Sequence, residues 1–149
     1  MDDEDIHPEA IVAPGYLANH AARIFNRNVD GALREHGLSL SLIGPLLLLS
    51  WRGSMLQRDL VAASAVKQPA MVALLGKLER MDLIARSPAP ADGRAAIVSL
   101  TDTGAQMAQI GGDALRAENQ RALGQLSTKD GEMLISLLQR FITGLEQGT

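Results

Sequence analysis

The segment from Asp92 to Gly104 (Asp-Gly-Arg-Ala-Ala-Ile-Val-Ser-Leu-Thr-Asp-Thr-Gly) constrains this chain more than any other. An Asp-Gly pair favours a turn. The run after it, centred on Ile97 and Val98, suits a strand. Thr101 or Thr103 can then cap a helix. The segment thus reads as the return half of a β-hairpin that feeds straight into a helix. Its first strand is expected over residues 83–87, its tip over 88–93 and its return strand over 95–100.

Helical signals precede the hairpin. Residues 1–12 are expected to fray, and Pro14 opens a first helix. Leu17, Ala21, Ile24, Asn28 and Ala32 recur at helical spacing, with Phe25, Val29 and Leu33 widening the stripe. His36-Gly37 is its stop signal. Ser39 caps a second helix over 40–51, in which Gly44-Pro45 kinks or delays the first turn. The run Leu46-Leu47-Leu48-Leu49 makes that helix central and buried. Ser54-Met55-Leu56-Gln57 fits a capping box opening a short helix over 55–63. Ser64 begins a turn, and a further helix follows over 68–81 with Pro69 in its first turn. Met71, Val72, Leu74, Leu75 and Leu78 are expected on its buried side. Asp82 stands where a C-terminal glycine is usual.

Beyond the hairpin, a long helix is expected to reach residue 123, weakened in the middle by Gly111-Gly112. Ser127 caps a last helix with Leu134, Leu137, Leu138, Phe141 and Leu145 on one stripe. The fold class is therefore mainly α with a small β-hairpin wing. It is a winged helix-turn-helix between long outer helices. Aromatic residues make up only 3% of the chain against 46% hydrophobic residues, so the core must be aliphatic, which suits packed helices.

Several function classes fall away. The chain has no cysteine, which excludes disulfides and thiolate metal sites. His7, His20 and His36 are too scattered for a metal site, and no cofactor is expected. There is no G-x-S-x-G, no glycine-rich phosphate loop and no H-x-x-x-H, so the chain reads as no enzyme. No run of 18 apolar residues could span a membrane. The acidic start, Asp2 to Asp5, is unlike a signal peptide. A soluble cytoplasmic protein is the expectation. The formal charge is −3, but residues 52–94 hold seven Lys/Arg against four Asp/Glu, a local +3 between segments of −4 and −2. Screening limits charge to about 8 Å at physiological salt, so the local value governs contact with phosphate.

The chain resembles the MarR family (multiple antibiotic resistance regulators) over roughly residues 15–146. Three pieces carry the resemblance: Gln57-Arg58-Asp59-Leu60-Val61; Lys77-Leu78-Glu79-Arg80-Met81-Asp82-Leu83-Ile84; and Asp92-Gly93-Arg94 with Leu100-Thr101-Asp102-Thr103-Gly104. The resemblance implies a single domain over 1–149. Helices over about 14–36 and 101–146 would interleave in an obligate homodimer, and a winged helix-turn-helix lobe would span about 39–100. It implies binding to a pseudo-palindromic double-stranded DNA operator. It also implies release by a small aromatic or phenolic effector.

Individual residues take roles on that frame. Arg94 is a long cation on the wing, suited to the narrow minor groove, or else paired with Asp92 to stiffen the wing. Gln68 can pair with adenine in the major groove, and Ala70 and Ala73 can meet thymine methyls beside Pro69. Gln57, Arg58, Lys67, Lys77 and Arg86 read as phosphate contacts. His20 and Arg23 lie one turn apart on the first helix. With Phe25, Trp51 and Met55 they could line an effector cleft and meet a carboxylate; alternatively Trp51 is core and Arg23 solvated. The alanine-rich start of the recognition helix and the net acidity leave a rival reading open, a winged-helix protein-interaction module with weak or no DNA binding.

Overall fold

The computed structural model describes residues 7–148, so only the last part of the segment expected to fray lies within it; there Ala10–Val12 form a 3-10 turn. The chain divides into two compact units, residues 1–115 and 116–149.

In the first unit, α1 (Pro14–Leu33) has proline in its first turn and ends through a 3-10 turn, Arg34–His36. Gly37 then adopts φ +69°, and the Leu38 N–H donates back to the Leu33 carbonyl at 3.2 Å. α2 (Leu40–Arg52) is capped twice. The Ser39 hydroxyl accepts from the Leu42 N–H at 3.4 Å, and the Asp30 carboxylate of α1 accepts from the Leu40 N–H at 2.6 Å. Pro45 sits inside α2 without ending it.

The expected helix start at Met55 is not observed. Met55–Leu56 form a short strand, β1, and the helix α3 (Gln57–Ala62) begins only afterwards with no side-chain cap. Ser54 does not cap; its hydroxyl hydrogen-bonds the Ser99 hydroxyl at 2.8 Å. The reason is pairing. Met55 and Leu56 lie antiparallel to Val98 and Ile97, which satisfies backbone groups a capping box would otherwise serve. α4 (Gln68–Arg80), β2 (Ile84–Ala89) and β3 (Asp92–Leu100) follow, in a three-stranded sheet of order β1-β3-β2.

Met71, Leu75 and Leu78 of α4 are fully buried with Leu33, Ile43, Leu46, Leu49, Leu60, Ile84 and Val98, giving the aliphatic core that the composition requires. Each such burial contributes roughly 1.5–3 kcal/mol. Val72, expected on the buried side, is instead 44% exposed on the flank of α4. It falls one residue past the Met71–Leu75–Leu78 line, and one residue turns a helix by about 100°.

Asp82 does take the glycine role. Its φ is +59°, and the Leu83 N–H returns to the Leu78 carbonyl at 2.9 Å, the same closure that Gly37 makes after α1. The left-handed region strains a residue with a Cβ by roughly 1 kcal/mol. Asp82→Gly should therefore raise the thermal midpoint by about 2–4 °C. A lower midpoint in calorimetry would mean that the Asp82 carboxylate contributes more than its backbone costs.

α5 (Asp102–Leu123) is continuous through Gly111-Gly112. Both glycines are buried, and a Cβ at Gly111 would lie 3.1 Å from the Ile43 side chain, so Gly111 lets α2 approach closely. In the second unit, the end of α5 and α6 (Thr128–Glu146) form a helical hairpin. The Ser127 hydroxyl accepts from the Asp130 N–H at 3.1 Å as the expected cap. Along α6 Met133, Leu134, Ile135, Leu137, Leu138, Ile142 and Leu145 are each at least 41% exposed. Among the described residues no helix is long and apolar enough to cross a membrane.

Candidate nucleic-acid interface

Three elements present the polar and cationic residues of the middle segment. α3 starts at Gln57 and Arg58, α4 at Gln68 with Pro69, Ala70 and Ala73 exposed behind it, and the β2–β3 hairpin stands beside them. A cleft of about 400 Å³ between them is lined by Gln57, Arg58, Val61, Gln68, Asp92 and Arg94. Lys67 and Lys77 are exposed on α4 and its cap but do not line the cleft.

The wing differs from the expected hairpin. β2 runs on to Ala89, so the tip is only Pro90-Ala91. Pro88 pairs with Ala96 and Ala89 with Asp92, which leaves residues 93–95 unopposed in a bulge. The Asp92 carboxylate accepts from the Arg94 N–H at 3.0 Å and holds that bulge. Asp92 thus grips the Arg94 backbone. Among the described residues the Arg94 guanidinium has no ion pair, and it is exposed into the cleft.

Arg86 is placed differently. Its guanidinium donates through Nε and Nη2 to both Glu79 oxygens, each at 3.0 Å, and through Nη1 to the Gln57 side-chain Oε1 at 3.5 Å. Hydrogen bonding from Arg86 holds the Glu79 carboxyl below the usual carboxylate range, and Glu79 raises Arg86 in return. Sequence reading missed this pair, because residues seven apart across a helix end meet only once the wing folds back.

The five expected effector residues are not gathered. Trp51 is 81% exposed, so it is not core, and Arg52 lies over its ring at 5.9 Å. Trp51 borders a second, apolar cleft of about 400 Å³ with Leu40, Leu47, Leu48, Val66 and Met71. His20, Arg23, Phe25 and Met55 line neither cleft. His20 stacks on Tyr16 with centroids 5.9 Å apart, Arg23 is exposed, and Phe25 and Met55 pack half-buried against the core. Among the described residues no group of three His, Asp or Glu could hold a metal ion.

Comparison with known proteins agrees with this architecture. The MarR family model matches residues 38–96. An HTH-type transcriptional regulator of Mycobacterium tuberculosis is 31% identical over 61% of this chain and 62% of its own length. The matched part thus spans less than two thirds of that relative. The HTH-type transcriptional repressor Rv2887 of Mycobacterium tuberculosis is 27% identical over 85% of this chain and 91% of its own. In structure, Staphylococcus aureus MepR, solved as a DNA complex, superposes with a TM-score of 0.79 at 22% identity, covering 89% of this chain and 98% of that one. The chain is thus similar to the MarR family over residues 38–96, and its fold is that of winged helix-turn-helix proteins.

Proposed function

We propose that this protein is a homodimeric, sequence-specific DNA-binding transcription regulator, acting as a repressor. The observation that carries the reading is the cleft in which the starts of α3 and α4 and the wing bulge bring Gln57, Arg58, Gln68 and Arg94 together. In this reading α4 enters the major groove. Its exposed Gln68, Pro69, Ala70 and Ala73 face base edges, and Val72 adds an apolar contact for thymine methyls. Lys67, Lys77 and Arg58 meet phosphates, and Arg94 reaches the flanking minor groove. The relative named as a repressor and the neighbour solved on DNA support this reading.

A shift assay with DNA from the protein's own promoter region tests it. Arg94→Ala should weaken binding by roughly 5- to 30-fold and lower the slope of log affinity against log salt by about 1. An unchanged affinity and slope would remove Arg94 from the interface. Failure of the unaltered protein to bind any such DNA would favour the interaction-module reading, which the apolar exposure of Val72, Ala70 and Ala73 on α4 already suits. Release by a flat aromatic or phenolic acid belongs to the same proposal. Arg23 is exposed one turn from His20 and free to meet a carboxylate. Adding such acids to the assay and losing the shift is the expected outcome.

A further inference from the structure

We propose that Glu79, Arg86 and Gln57 form a clamp that fixes the wing against the recognition helix, so that Glu79 and Arg86 are positioning residues for DNA binding and Arg86 is not itself a phosphate contact. The inference rests on the DNA-binding reading above and refines it. The geometry points this way on three counts. The Arg86–Glu79 contact is bidentate, with two charge-assisted bonds of 3.0 Å, the arrangement in which a guanidinium has least freedom to leave. The three residues lie on three different DNA-facing elements: Gln57 is the first residue of α3, Glu79 is in the last turn of α4, and Arg86 is mid-strand in β2. Finally, Arg86 pairs across the sheet with Val98, and Val98 also pairs with Met55 of β1. The clamp therefore grips one of the two rows where all three strands meet. Apart from the clamp, the wing is held by its strand pairing, by the Ser54–Ser99 hydrogen bond and by the burial of Ile84 and Val98. With Arg86 engaged, the only arginine of the wing left for DNA is Arg94.

The two roles of Arg86 predict opposite signs. If it were a phosphate contact, neutralising its carboxylate partner would free it, and Glu79→Gln would tighten DNA binding. As a clamp, Glu79→Gln loosens the wing and weakens binding, by about 10-fold, because misplacing a contact group by an ångström is costly. The salt slope stays at the unaltered value, since no phosphate contact is lost. The charge-reversed pair, Glu79→Arg with Arg86→Glu, keeps the net charge and should return affinity to within about 3-fold. A merely structural role would lower the melting temperature in step with affinity; the clamp requires affinity to fall while the midpoint moves by less than about 2 °C.

Hydrogen exchange on the free protein supplies a readout that needs no DNA. Amides of residues 84–87 and 89 should exchange faster in Glu79→Gln and recover in the swapped pair. Tighter DNA binding by Glu79→Gln, or a swapped pair with lost affinity and a lower salt slope, would overturn the clamp and make Arg86 a contact. Unchanged exchange would overturn it whether or not the protein binds DNA. Absent DNA binding with faster exchange would keep the clamp as a property of the wing and overturn only its role on DNA.

Discussion

Gly104→Ala is expected to destabilise the protein by roughly 3–5 kcal/mol and to lower its thermal midpoint by about 10 °C or more, if it folds at all. Gly104 is buried in the first turn of α5, and a Cβ built on it would sit 1.8 Å from the Leu83 carbonyl oxygen and 2.8 Å from its carbon. Both atoms are backbone, so no rotamer change relieves the overlap. Leu83 cannot easily retreat. Its N–H is bonded to the Leu78 carbonyl at 2.9 Å, and its carbonyl accepts from the Thr101 N–H at 3.1 Å. The Thr101 hydroxyl ties the same place twice, donating to the Asp82 carbonyl at 2.6 Å and accepting from the Gly104 N–H at 3.0 Å. Moving α5 away to admit a methyl breaks this set, and each net hydrogen bond contributes about 1 kcal/mol. Gly15→Ala is the control. Nothing lies within 4 Å of its added Cβ, and alanine is the better helix former, so its midpoint should hold or rise. Melting curves of the two variants decide the matter: a Gly104→Ala protein that melts with the unaltered one would mean that α5 does not start this close to Leu83.

That junction shows what could be read before the structure. The Leu-Thr-x-x-Gly spacing marked a helix start, and Thr101 proved to be the cap. The sequence gives no sign of why the glycine is required, because its neighbour, Leu83, is 21 residues away. Local signals of this kind were legible throughout. Ser39 and Ser127 cap their helices, and Asp82 adopts the left-handed turn that is usual for a glycine. What failed was tertiary. Met55–Leu56 is too short to show a period-2 pattern, and Ser54 and Gln57 carried a capping-box spacing that pairing with β3 overrode. Gly111-Gly112 read as a flaw in a helix, whereas the missing side chain of Gly111 is what lets Ile43 approach. Of the candidate interface, the cleft residues Gln57, Arg58, Gln68 and Arg94 were all named from sequence. The engagement of Arg86 was not, since it depends on the angle between wing and helix. Nor was the scatter of His20, Arg23, Phe25, Trp51 and Met55 foreseen, because helical spacing says which residues share a face but not which faces share a cavity.

The second large effect concerns the proposed dimer. Leu137→Glu with Leu138→Glu should convert it to a monomer in sedimentation velocity and reduce affinity for the full operator by at least about 100-fold. α6 exposes Leu134, Leu137, Leu138, Ile142 and Leu145 to 41–60%, a continuous apolar stripe on a helix of 19 residues. Single exposed leucines are ordinary on a protein surface, but a stripe of them along one helix marks an interface. Covering the remaining half of each side chain is worth roughly 1 kcal/mol, and two-fold symmetry counts every contact twice. Two glutamates at the centre of that stripe replace this gain with four carboxylates desolvated against each other, a cost of several kcal/mol per buried ion. The loss on DNA follows from geometry. Two recognition helices held about 34 Å apart engage both half-sites at once, and a monomer must bind each independently. Half-site affinity should be nearly unchanged, which separates lost dimerisation from a damaged DNA lobe. A double variant that remains a dimer would place the interface elsewhere, and a monomer that still held the full operator with undiminished affinity would sever dimerisation from recognition.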